Sequence, residues 1–145
     1  MKKVFSALCF VIFCGIFNFC YATTSDDVAE SYENNPDYYF VNRIQGPYTY
    51  LYLPSIDVQL YNPPHYQIKG KFLTIGSPES RYDTSVSVWY ATIRYNWYTK
   101  EAFEFSNGKW RKMAQGPQSS TPVALDKKIA NALFIAAYGM KFYEE

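Results

Sequence analysis

The chain has 145 residues, 14 Lys and Arg against 13 Asp and Glu, and 20% aromatic side chains. This near balance of charge excludes proteins that bind nucleic acid through a dense positive field, because phosphate binding needs clustered cations. The 123 residues that follow residue 22 suit one domain with one hydrophobic core.

The first 22 residues have the pattern of a secretory signal peptide. Lys2 and Lys3 precede an apolar run, Val4 to Phe19, and Ala22 precedes a polar stretch. We expect cleavage after Ala22 and no membrane span in the processed chain, which is exported to the periplasm or the cell surface. All three cysteines lie in this segment. The processed chain therefore has no thiolate for zinc or for nucleophilic catalysis.

Residues 23–36 are polar and acidic, and we expect a flexible leader there with at most one helical turn capped by Ser25. From residue 37 onward, apolar and polar residues alternate with the period of two that is typical of strands. The pattern predicts strands at 37–43, 48–53, 56–60 and 66–75. Turn residues at 45–47 and the pair Pro63-Pro64 separate them.

The stretch from Ser85 to Met113 is predicted to form the centre of the sheet. A long alternating strand is followed by a second one, Ala102–Ser106, and then by Asn107-Gly108. Asn-Gly between two strands predicts a two-residue type I′ turn, which needs positive φ at both residues. This turn sets the register, with Ser106 opposite Lys109, Phe105 opposite Trp110 and Glu104 opposite Arg111.

The C-terminal segment predicts one helix, at about 122–141. Thr121 suits the N-cap and Pro122 the first helical position, and apolar residues from Leu125 to Met140 recur at helical spacing. Residues 37–145 are therefore predicted to form a single β-rich domain. Its fold class is α+β: an antiparallel β-meander sheet of about five to seven strands with one C-terminal helix packed on one face.

Several sequence segments resemble a group of small exported bacterial proteins of unknown function. They are YLYLPSIDV, YNPPHYQI, the NGKW hairpin and a terminal helix that ends AAYGMKFY. This resemblance covers most of Tyr38 to Tyr143. More loosely, Tyr48 to Trp110 is similar to the surface-adhesin protein E-like family, with a Tyr-x-x-x-x-Ser-Ile start. The resemblance implies an exported lead and a meander of strands, and it assigns no functional residue to this sequence.

The sequence predicts no enzyme. His65 is the only histidine, and no serine has the G-x-S-x-G context of a hydrolase nucleophile. Glu101 and Glu104 lie three apart on a strand and point to opposite faces, so they cannot flank one glycosidic bond. The spacing of His, Asp and Glu suggests no metal site, and we expect no catalytic residue, metal or cofactor.

One group of side chains is a candidate binding site. If Leu51, Ile68 and Ile93 face the helix, the opposite face carries four tyrosines and an arginine. They are Tyr48, Tyr50, Tyr52, Tyr90 and Arg94. Aromatic side chains in a row with an arginine can stack on sugar rings or peptide side chains. Alternation alone does not decide whether this face is open or covered.

These observations favour a non-catalytic exported domain that binds a glycan or a protein through its aromatic sheet face. Two alternatives are a small hydrolase that acts on envelope polymers, and an inhibitor or accessory protein that offers a loop or a sheet edge. The sequence leaves the oligomeric state open.

Overall fold

One antiparallel sheet of six strands organises the chain. The computed structural model describes residues 23–43, 47–77, 80, 82–114 and 120–144, so the predicted signal peptide, 1–22, lies outside the described residues. The strands follow one another in the sheet in chain order. They are β1 Tyr38–Arg43, β2 Tyr48–Asn62, β3 His65–Ile75, β4 Val86–Asn96, β5 Glu101–Ser106 and β6 Lys109–Lys112.

Within the described residues, two helices flank the strands in the sequence, α1 at Ser25–Glu33 and α2 at Thr121–Tyr138. Because α2 packs on one face of a meander of six strands, the predicted α+β fold is confirmed. One strand, β2, replaces the two that were predicted at 48–53 and 56–60. It continues through Pro54 because a register shift between Tyr52 and Asp57 accommodates the extra residues.

The main core lies between α2 and the sheet. Apolar side chains on alternate positions of β2, β3 and β4 meet the buried side of the helix. The largest of them are Leu51, Ile68, Phe72, Ile93, Tyr95, Leu133 and Phe134. The phenol of Tyr95 is fully buried, and its hydroxyl donates to the carbonyl of Ala130 at 3.0 Å. The one polar atom of this large buried ring is therefore satisfied by the helix backbone.

The helix α2 begins one residue earlier and ends three residues earlier than the sequence predicts. Ser120 is the N-cap, and Pro122 lies in the first turn, where its missing N–H has no bond to lose. The helix ends because Gly139 adopts a left-handed conformation, φ 73°, and donates its N–H to Ile135. The segment that follows Gly139 leaves the helix axis and folds back.

A single buried asparagine on α2 holds this C-terminal segment. The side-chain oxygen of Asn131 accepts the backbone N–H groups of Phe142 (3.0 Å) and Tyr143 (2.7 Å). Its amide nitrogen donates to the carbonyl of Tyr143 at 3.0 Å. These bonds bury the ring of Phe142 beside the main core.

The β5–β6 hairpin has the predicted turn and register. Asn107 and Gly108 have φ of 50° and 75°, and Glu104 pairs with Arg111 across the strands. Arg111 also forms a bidentate ion pair with Asp126 of α2, at 2.9 and 3.1 Å. The hairpin is thereby joined to the helix.

The prediction of a flexible leader is wrong for residues 25–33, which form α1. Its N-cap is Thr24 rather than Ser25, and a capping box with Asp27 satisfies the first backbone N–H groups. Ala29 on the inner side of the helix is 1% exposed. The acidic composition of this segment suggested a solvated chain. The segment is instead an amphipathic helix that is stabilised by packing of its apolar side on the sheet.

Replacing Gly108 by valine tests the turn. We expect Gly108→Val to lower the free energy of unfolding by about 1 kcal/mol or more, because a β-branched residue resists positive φ. Nothing lies within 4 Å of the position where the new Cβ would begin, so the effect reports backbone conformation alone. Urea unfolding measures it, and a neutral result would contradict the turn assignment.

A second substitution tests how closely α2 approaches the sheet. A Cβ on Gly70 of β3 would lie 2.5 Å from Cδ2 of Leu133, so Gly70→Ala should cost about 1–3 kcal/mol of stability. In a Leu133→Ala background the same change should cost clearly less, since the clashing methyl groups are gone. A double-mutant cycle by urea unfolding measures this coupling, and additive costs would contradict the contact.

Candidate functional site on the open face of the sheet

The five predicted site residues share the face of the sheet opposite α2, but they do not form one open surface. Tyr50 is 0% and Tyr48 8% exposed, whereas Tyr90 is 62% exposed. Tyr52 is half-buried and Arg94 is exposed. The prediction of a continuous tyrosine face is corrected at Tyr48 and Tyr50, because α1 lies over them.

Hydroxyl groups of the two covered tyrosines hold α1 in place. The hydroxyl of Tyr50 lies within hydrogen-bond distance of the carbonyl of Ala29 (3.2 Å) and a carboxylate oxygen of Glu33 (3.3 Å). The hydroxyl of Tyr48 donates to Asp26 at 2.6 Å. Burial, followed by the nearby carboxylates, raises the pKa of both phenols above the ordinary value. These two tyrosines therefore have a structural role.

The part of this face that α1 leaves open carries alternating aromatic and basic side chains, which we name the aromatic–cationic strip. It consists of Tyr52, Lys71, Tyr90, Lys69, Arg94 and Trp110. Lys71 lies opposite Tyr52 on one neighbouring strand and opposite Tyr90 on the other. Cations and rings therefore alternate across three adjacent strands.

Each cation of the strip lies over an aromatic ring. The ammonium of Lys71 is 4.2 Å from the ring centroid of Tyr52, and that of Lys69 is 5.5 Å from Tyr90. The guanidinium carbon of Arg94 lies 4.0 Å from the ring centroid of Trp110. All three distances are within the range of cation–π attraction.

A chain of side-chain amides orients Arg94. Its Nε donates to Gln67 at 2.7 Å, Gln67 donates to Gln59 at 2.6 Å, and Gln59 donates to Asp57 at 3.1 Å. The chain crosses from β4 through β3 to the distal half of β2. The guanidinium is therefore held at Nε by a hydrogen bond and on one face by the ring of Trp110.

The strip carries an excess of positive charge, with one carboxylate, that of Asp57, opposite Lys69 on the neighbouring strand. Within the described ranges, Lys69, Lys71 and Arg94 form no ion pair, whereas Arg43 and Arg111 do. Acidic residues concentrate on α1, at the other end of the same face, as Asp26, Asp27, Glu30 and Glu33. The face is therefore polarised, with an acidic covered end and a basic open end.

Sequence reasoning identified Tyr52, Tyr90 and Arg94 but missed the rest of the strip. Lys69 and Lys71 alternate with the apolar residues of β3, which is a readable signal for the same face. Trp110 carries no such signal. It lies on β6, and β5 stands between β6 and Arg94 on β4. The contact depends on two strand pairings, Arg94 with Phe103 and Phe105 with Trp110.

The residues considered for catalysis are dispersed. Glu101 pairs with Lys112, while Glu104 pairs with Arg111 and lies on the α2 side, so the two glutamates occupy opposite faces as predicted. The hydrogen bond from Lys112 lowers the pKa of Glu101 below its ordinary value. His65 is exposed at the start of β3. Within the part of the chain that the structure describes, no three His, Cys, Asp or Glu side chains form a metal-binding group.

The raised pKa values of Tyr48 and Tyr50, the two phenols that hold α1, predict a loss of stability at alkaline pH. Because burial raises the pKa of Tyr48 and Tyr50 in the folded chain, the unfolded chain loses its phenol protons first as pH rises. The stabilisation is complete below about pH 10 and is lost as pH rises further. We expect the free energy of unfolding, measured with urea between pH 8 and 11.5, to fall above about pH 10.

Tyr50→Phe is the matched variant for this titration. It keeps the ring but has no proton to lose, so its free energy of unfolding should fall less steeply above about pH 10 than that of the wild type. Equal slopes would show that Tyr50 is not shielded by α1.

Neither helix in the described ranges has the length and hydropathy that a membrane-crossing helix needs.

Comparisons with protein-family models, with curated proteins and with solved structures find no match to this chain. The resemblance to small exported bacterial proteins therefore stays a prediction.

Proposed function

We propose that this protein is an exported, non-catalytic binding domain whose aromatic–cationic strip binds an anionic glycan. The observation that carries this proposal is a set of three cations that form no ion pair within the described residues, each stacked against an aromatic ring on an exposed sheet face. Aromatic rings offer a flat apolar surface to the C–H face of a sugar ring. Lys and Arg supply partners for carboxylate, phosphate or sulfate groups.

The geometry of the strip favours an extended polymer. Tyr52 and Tyr90 lie on β2 and β4, two strand spacings apart, which is about 10 Å. That distance is comparable to the length of a disaccharide, so successive sugar rings can lie on successive aromatic rings. Lys71 lies between the two rings, where an acidic substituent would project.

The uneven charge of this face favours binding of such a polymer at one end of the face. The carboxylates of α1 repel a polyanion from the covered end, and the cations of the strip attract it to the open end. The signal-peptide pattern of the first 22 residues supports a location where polymers of this kind occur, the periplasm or the cell surface.

Affinity for defined polymers tests the proposal. We expect the protein to bind polygalacturonate in isothermal titration calorimetry and to bind neutral dextran more weakly. Tyr52→Ser with Tyr90→Ser should weaken polygalacturonate binding at least tenfold, because both stacking rings are lost. Lys69→Gln with Lys71→Gln should weaken it and flatten its dependence on salt concentration, because fewer charged contacts remain.

Tyr98→Ser is the matched control, since Tyr98 is 83% exposed in the turn after β4 and lies outside the strip. Circular dichroism of each variant, read before binding, shows that the sheet is intact. Unchanged affinity in both strip variants would overturn the assignment of the site. Absence of binding to polygalacturonate, to phosphate-bearing polymers and to dextran would overturn the proposed ligand class.

A further inference from the structure

The outer side of β4 is open over the first part of the strand. β3 pairs with β4 along its whole length, Val86–Asn96, whereas β5 pairs only with residues 93–96. Within the described residues, no strand pairs with the outer side of residues 86–92, which we name the β4 edge. A sheet edge of this kind presents N–H and C=O groups to which another strand can add.

Two backbone hydrogen bonds show which groups of the β4 edge point outward. The N–H of Trp97 and the carbonyl of Ser85 bond to the residues that directly follow and precede the β3 side of the pairing, at 2.8 and 3.0 Å. The register between β3 and β4 has no shift. Because the bonding direction alternates along a strand, Val86, Val88 and Tyr90 direct their N–H and C=O groups away from β3.

The side chains of the β4 edge are exposed and uncharged. Val86 is 41%, Val88 55% and Tyr90 62% exposed on the face opposite α2. Ser85 and Ser87 are exposed on the α2 side, so the helix leaves this edge uncovered. No Asp, Glu, Lys or Arg occurs from residue 84 to residue 93. The edge therefore combines outward backbone groups with an apolar surface.

The other edges of the sheet have features that hinder the addition of a strand. β6 is four residues long, and three of them are cations. β1 has a register shift between Phe40 and Asn42, and the part of β2 that extends beyond β1 has one between Val58 and Leu60. Charges and bulges are the usual means by which proteins block edge pairing. The β4 edge has neither.

We propose that two copies of this chain pair through their β4 edges, antiparallel and around a twofold axis at Val88. In this register Val88 lies opposite Val88 of the second copy, and Val86 lies opposite Tyr90. The three outward-directed residues of each copy then form about six hydrogen bonds between the copies. Aliphatic and aromatic side chains that lie opposite each other stabilise an antiparallel pair.

A second copy fits because the β4 edge is complementary to itself. On the α2 side the same register places Ser87 opposite Trp89, and no charged side chain of the edge faces a like charge. Pairing of two β6 edges would instead bring cations opposite one another. A twofold contact also closes the edge, since each copy covers the outward backbone groups of the other.

This pairing would place the two aromatic–cationic strips on the same side of one continuous sheet. A twofold axis perpendicular to the sheet leaves the faces unexchanged, and Tyr90 of each copy lies beside the contact. The inference does not rest on the glycan proposal, because its basis is the open backbone and the uncharged sequence of the β4 edge.

Sedimentation equilibrium of the purified protein tests the pairing. We expect the wild type to form dimers with a dissociation constant on the order of 10–100 µM, because one strand pair is a small interface. Val88→Lys and Val88→Glu should each weaken dimerisation roughly tenfold or more, since like charges then meet at the twofold axis. An equimolar mixture of the two variants should dimerise again, because opposite charges then face each other.

Leu60→Lys is the matched control, because Leu60 is 42% exposed on the outer part of β2 and takes no part in the pairing. This variant should dimerise like the wild type. Circular dichroism of each variant, read first, shows that the sheet is intact. Amide hydrogen exchange of the wild type gives an independent measure: the N–H groups of Val86, Val88 and Tyr90 should become protected as protein concentration rises.

Four outcomes would overturn the proposal. A wild type that stays monomeric at about 1 mM leaves the β4 edge to a strand of a different protein. Assembly beyond the dimer contradicts a closed twofold contact. A mixture of Val88→Lys and Val88→Glu that stays monomeric contradicts the pairing at Val88, and loss of the dimer in Leu60→Lys places the contact on β2.

Discussion

The close packing of α2 on the central strands is the contact on which the rest of this structure depends. Gly70 leaves no side chain between β3 and the helix, so Leu133 lies directly against the sheet. Because side chains alternate along each strand, this packing decides which residues of β2, β3 and β4 become core. All remaining side chains of those strands belong to the opposite face.

One end of that opposite face is covered by a helix, and the other end is exposed. The short acidic helix α1 covers one end, where Tyr48 and Tyr50 supply both buried rings and hydroxyl partners. The same residue type remains open at Tyr90, which is 62% exposed. Tyrosine suits both the covered and the exposed end because its ring packs like an apolar group and its hydroxyl forms hydrogen bonds with protein groups or with water.

The open strip and the end of α2 use aromatic rings in different ways. In the strip each ring supports a cation and presents a flat surface to the solvent. Beside the end of α2, the rings of Tyr66, Phe134 and Tyr138 instead contact one another. The first arrangement leaves charged groups at the surface, whereas the second packs aromatic rings between α2 and β3.

Local chemistry in the sequence determined much of the architecture. Period-two alternation predicted the strands, Asn107-Gly108 predicted the turn and its register, and helical spacing after Pro122 predicted α2. These features depend on near neighbours in the chain, so a sequence shows them directly. The alternation also placed Tyr52, Tyr90 and Arg94 on the face opposite α2.

Only the tertiary structure decided what covers that face and what completes the strip. An acidic segment that resembles a flexible leader becomes α1 because it packs against Tyr48 and Tyr50, and that contact lies between elements distant in sequence. Trp110 meets Arg94 across two strand pairings, and Tyr138 meets Tyr66 across the gap from β3 to α2. Sequence patterns predict which side of an element a residue occupies, whereas packing between elements decides what that side meets.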